Sequence, residues 1–141
     1  MPSTIQFLYE RSVIHQSYLI VPFAYGTVAG VVVYSYCLLS LVTNQAPLHK
    51  IENPADRYTE RLESIIEIAK DHLDRELQEE QPLGYYQQHY VYRHNLIIIS
   101  AIGGKIFYDH YPPSHLNNIA APKIFASEQD CIHWVKQGLD R

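Results

Sequence analysis

The chain has 141 residues, 47% of them apolar and 18% charged, and its 15 acidic and 11 basic side chains give a formal net charge of −4. That is the length of one domain with one packed core, too apolar for intrinsic disorder and far too poor in cysteine, with two, for a disulfide scaffold. A pI near 6.0 withholds the positive field on which nucleic-acid binders depend, so nucleic acid is not an expected partner.

The N-terminal residues lack a basic region ahead of an apolar block and a small-residue cleavage pattern, so no signal peptide is expected. Residues 4–9 read as an extra strand. From Ser12 to His49 no Asp, Glu, Lys or Arg occurs, and residues 19–42 are long enough to cross a bilayer as a helix. Gly26 and Gly30 form the small-residue pair that spanning helices use. Against that stand Pro22, Tyr25, Thr27, Tyr34, Ser35 and Tyr36, which put a helix breaker and hydroxyls inside the span. Two strands explain more residues: 18–25 and 31–39 are rich in β-branched and aromatic types, with Gly26 and Gly30 bracketing a short connection. Membrane insertion is therefore the alternative and a hairpin the expectation. Because Val31, Val32 and Val33 offer apolar groups to both faces, helices or a second copy of the chain must cover both, and a homodimer is expected.

Asn53-Pro54 predicts a helix start, with Asn as cap and Pro in the first turn. Apolar groups at Tyr58, Leu62, Ile65, Ile66, Ala69, Leu73 and Leu77 carry the helix to about residue 80, where Gln81-Pro82-Leu83-Gly84 ends it. Residues 54–80 hold 9 acids and 4 bases, so most of the negative charge rides on this helix. That face either docks a basic partner or is simply solvated. Residues 86–92, 96–102 and 105–108 then predict a three-stranded meander, with turns at His94-Asn95 and Gly103-Gly104. A last helix follows Ser127 as cap, with Ile132, Val135 and Leu139 inward and Gly138 closing it.

The expected fold is a single α+β domain over residues 1–141: an antiparallel sheet of about five strands in the order β-β-α-β-β-β-α, with one long amphipathic helix and a short C-terminal one. The order resembles, in topology, longin and roadblock-like domains, and the resemblance implies an interaction or regulatory platform.

Chemical motifs are absent. A phosphate loop around Gly104-Lys105 fails at Ile99 and Ile106. Gly26-Thr-Val-Ala-Gly30 lacks the third glycine of a dinucleotide fingerprint, no GxSxG elbow occurs, and no cofactor is implied. Cys37 and Cys131 sit in apolar segments without CxxC spacing, which suits buried, reduced thiols in the cytoplasm. Eight histidines include His89, His94, His110 and His115 near Asp109, but strand alternation points neighbours to opposite faces, so no metal site is expected. Of twelve tyrosines six fall between 85 and 111; they suit a stacking platform or, more plainly, sheet architecture and an interface. The long connection 111–125, with three prolines, is where a site belongs if there is one. The candidate ligand- or partner-binding residues are Tyr108, Asp109, His110, Tyr111, Ser114, His115, Asn117 and Asn118, with Asp109 and His110 as an acid-base pair only if they converge. The expected function is a non-enzymatic interaction or regulatory domain; a small-ligand protein or enzyme with its pocket near the 109–125 loop is the alternative.

Overall fold

The computed structural model of the chain describes residues 6–16, 18–40, 50–76 and 87–141. The uncharged stretch is extended. Strands β2 (Tyr18–Val28) and β3 (Val31–Ser40) pair antiparallel from Tyr18 with Ser40 to Val28 with Val31. The reading of residues 19–42 as a spanning helix falls on this point, and among the described residues no helix is long and apolar enough to cross a bilayer. The connection is tighter than Gly26 and Gly30 suggest. Only Ala29 (φ 52°) and Gly30 (φ 81°) form the turn, both left-handed, because that turn geometry matches the right-handed twist of the strands it joins. Gly26 instead lies within β2, where the register shifts between Ala24 and Gly26, a bulge.

Two three-residue strands flank the hairpin, β1 (Val13–His15) against β2 and β4 (Lys50–Glu52) against β3, giving a four-stranded sheet in the order β1-β2-β3-β4. Strand β1 is preceded by a single 3-10 turn at Tyr9–Arg11, and Phe7 bridges to Phe23; the start of the expected strand over 4–9 lies outside the described residues. The meander forms a separate sheet of β5 (Gln87–Tyr92), β6 (Asn95–Ile102) and β7 (Lys105–Tyr111). Its first turn is Arg93-His94, both at positive φ (49° and 64°), one residue ahead of the expected His94-Asn95. Asn95 enters β6 opposite Tyr92 and its amide holds the Arg93 carbonyl at 2.8 Å. Gly103-Gly104 turns as predicted.

The single sheet of about five strands is thus replaced by two, four- and three-stranded, and the reason lies in the strands' faces. Both β2-β3 and β6 are apolar on both sides, and stacking the sheets covers one face of each while a helix covers the other. Leu19, Val21, Phe23, Cys37 and Leu39 meet Leu96, Ile98 and Tyr111 between the sheets. Ile20, Tyr36 and Leu38 on the outer face pack on Ile65, Ala69 and Leu73 of helix α1 (Leu62–Glu76). Ile97, Ile99, Ile106 and Tyr108 pack on Cys131 and Val135 of helix α2 (Glu128–Leu139). The layers run α1, first sheet, second sheet, α2. Cys37 and Cys131 are both buried, with the second sheet between their two cores.

Helix α1 starts later than Asn53-Pro54 predicts. Asn53 is buried in a left-handed conformation (φ 39°) and acts as a turn pin. Its Nδ2 donates to Ser35 Oγ (2.9 Å) and to the Arg57 carbonyl (3.0 Å), while its Oδ1 accepts from the Arg57 amide (3.2 Å). Residues 53–59 therefore form a loop that rejoins the sheet where Thr59 bridges Tyr34, leaving Tyr58 exposed outside the helix. The stripe from Leu62 to Leu73 packs as expected; Leu77 and the run 81–84 lie outside the described residues. In α2 the Ser127 hydroxyl accepts from the Asp130 amide at 3.1 Å, the predicted cap. Gly138 does not close the helix but lies inside it, ahead of the αR residue Asp140.

Candidate functional site

The long connection after β7 runs back along that strand. Ile106 and Phe125 exchange backbone bonds of 2.9 and 3.0 Å at its base, and the Ile119 amide donates to the His110 carbonyl at 2.8 Å. Asn118 does most of the fastening. Its Oδ1 accepts from the amides of His110 (2.8 Å) and Ala120 (3.0 Å), and its Nδ2 donates to Asp109 Oδ1 (3.0 Å). The other Asp109 oxygen accepts from the Tyr111 hydroxyl at 3.0 Å, and the Tyr108 hydroxyl accepts from the Ala121 amide at 2.9 Å.

Asp109 and His110 do not converge as an acid-base pair. Asp109 pairs with Ile98 and shares its inter-sheet face, whereas His110 pairs with Ile97 and shares the face toward α2. His110 Nε2 lies 2.9 Å from Asn95 Oδ1, an acceptor, so the ring donates there. Burial holds the His110 imidazole below its ordinary value, which keeps it neutral and suited to that bond. Tyr108, Asp109, His110, Tyr111 and Asn118 thus fasten the loop, and Asn117 tethers a ring at its start through an amide bond of 3.3 Å to His115 Nδ1.

Ser114 and His115, the remaining two candidates, face a cavity of about 390 Å3 at the end of the inter-sheet core. Phe7, Phe23, Cys37 and Leu116 give it apolar walls, and Glu52 with Ser114 and His115 supplies its polar groups. The walls come from distant segments that are tied to one another: Phe7 N donates to the Pro113 carbonyl (2.8 Å), and the Tyr9 hydroxyl to that of Pro112 (2.7 Å). Desolvation drives the Tyr9 phenol well above its usual value, so it stays a donor. Phe23 and Cys37 are readable as strand residues, but nothing in the pattern marks Glu52, because β4 is three residues long and has no readable period. Its Cα partner is Cys37, which puts both side chains on the inter-sheet face.

A second surface lies at the tip of the hairpin. Val28 is 66% exposed, and Tyr25, Val31, Val32 and Tyr58 are between 40% and 53%, with the rings of Tyr25 and Tyr58 4.8 Å apart. Among the described residues no strand pairs with the outer edge of β2 beyond Phe23 or of β3 before Tyr34. The covering that Val31 to Val33 demand is supplied along the rest of the hairpin by α1 and the second sheet, and stops short of this tip.

Other candidates disperse. Among the described residues no three His, Cys, Asp or Glu side chains are grouped to hold a metal ion; His94 sits 2.7 Å from Glu10 and His15 2.7 Å from Asp74. Tyr90 and Tyr108 pack toward α2, Tyr111 lies between the sheets, and the Tyr92 hydroxyl donates to Asp140 at 2.8 Å, so these four tyrosines share no stacking platform; Tyr85 and Tyr86 lie outside the described residues. Burial and the nearby Glu128 push the Cys131 thiol up to about 11, which removes it as a nucleophile at neutral pH. Set beside protein-family models, curated proteins and solved structures, the chain matches none of them.

Proposed function

We propose that this chain is a non-enzymatic interaction or regulatory domain that works as a homodimer, joined through the tip of the β2-β3 hairpin. The observation that carries the reading is the exposed apolar tip, Tyr25, Val28, Val31, Val32 and Tyr58, at the end of a hairpin whose middle is buried. A second copy is the occupant that fits. The hairpin from 18 to 40 carries no formal charge, so its own strands offer a partner no ion pair, and a two-fold axis lets one open β edge meet its own counterpart. Each half-exposed side chain buried this way contributes on the order of 1 kcal/mol. We place the protein in the cytoplasm, on its two buried thiols. Sedimentation equilibrium of the wild type and of the Val28→Lys/Val31→Lys variant tests the reading. Dimer for the first and folded monomer for the second is expected; a monodisperse wild-type monomer at tens of micromolar refutes it.

A second reading, a small-ligand pocket beside the 109–125 loop, is favoured by one observation: Ser114 and His115 of that loop line the cavity of about 390 Å3, a volume within the usual range of ligand sites.

A further inference from the structure

The cavity lining is specific about charge. Among the described residues it holds one formally charged group, the Glu52 carboxylate, and no Lys or Arg. Strand pairing with Cys37 turns Glu52 toward the inter-sheet face, at the mouth of a pocket whose walls are two phenylalanine rings with centroids 4.9 Å apart. The His115 Nδ1 accepts the Asn117 amide hydrogen at 3.3 Å, which makes Nε2 the donor of the ring. A carboxylate beside the Ser114 hydroxyl and an aromatic wall, with no Lys or Arg in the lining, selects against anions and for a cation carrying an apolar body.

We propose that this cavity binds a small primary amine with an aromatic or aliphatic body, the ammonium at Glu52 and the apolar part against Phe7, Phe23 and Leu116. The inference rests on the second reading above and shares no residue with the hairpin tip. The Phe7–Pro113 and Tyr9–Pro112 bonds fix the N-terminal segment to the loop that faces it, so little ordering cost falls on binding.

Calorimetric titration of the full chain with three probes of matched length tests it: phenethylamine, 2-phenylethanol and phenylacetate. The amine is expected to bind saturably and about tenfold tighter than the alcohol, with phenylacetate weakest. Glu52→Gln, at an exposed position, removes that tenfold preference and leaves the alcohol's affinity unchanged, while Glu63→Gln on α1 changes neither. Equal affinity of amine and alcohol, or an unchanged preference in folded Glu52→Gln, overturns amine selectivity and leaves the pocket reading standing. Failure of both amine and alcohol to saturate overturns the pocket reading and the amine inference together.

Discussion

Replacing Asn53 separates two physical roles for one side chain. As a helix cap, Asn→Gly costs only a few tenths of a kcal/mol and Asn→Ala about 1 kcal/mol. As the pin of the 53–59 loop it loses three hydrogen bonds of 2.9, 3.0 and 3.2 Å in a buried setting. At about 1 kcal/mol net for each, Asn53→Gly costs roughly 2–3 kcal/mol. Asn53→Ala loses the same bonds and keeps the Cβ at φ 39°, a strain of about 1 kcal/mol that glycine relieves, so its cost is the higher of the two, roughly 3–4 kcal/mol. Urea unfolding followed by far-ultraviolet circular dichroism measures both, and the gap between the two variants isolates the backbone component. A loss below 0.5 kcal/mol for Asn53→Gly, the capping magnitude, refutes the pin and with it the late start of α1.

Two further outcomes follow from the same geometry. Asn118→Ala removes the acceptor of the His110 and Ala120 amides and a donor to Asp109; about 2 kcal/mol of stability and rapid proteolysis within 112–124 are expected, and an unchanged cleavage rate contradicts the fastening role. Burial holds His89 and His110 below the ordinary imidazole value of 6.5, so the unfolded chain binds protons more readily than the folded one as pH drops through that value. Their contribution is complete above pH 6.5 and is lost as pH falls from there toward their folded values; melting temperatures between pH 8 and 5.5 should decline, less steeply in His89→Gln/His110→Gln, and identical slopes refute the assignment.

The elements that the sequence discloses are those that repeat a period over several turns or strands. The apolar stripe of α1, the Ser127 cap, the valine-rich β3 and the Gly103-Gly104 turn each declare themselves within a dozen residues. The split into two sheets does not, because alternation in Leu96, Ile97, Ile98 and Ile99 says that both faces are covered and not by what. Arg93-His94 and Ala29-Gly30 take left-handed conformations with only one glycine between them, so residue type alone misplaces those turns by one or more positions. At the candidate site the 109–118 cluster was legible as polar residues on an uncommonly long connection, and it is a structural clasp over most of its length. Glu52 was not legible, since its place in the cavity depends on pairing with Cys37 across a gap in sequence that carries no pattern.

The hairpin tip holds the account together, and amide hydrogen exchange reads it directly. Tyr34 turns its amide outward to the Thr59 carbonyl at 2.7 Å, so two residues earlier Val32 presents its own amide to the open edge. Followed across a hundredfold range of protein concentration, exchange over 24–33 should slow as concentration rises while that of β6 stays constant. Fast exchange at the tip at every concentration contradicts a paired edge and leaves the hairpin without its second copy.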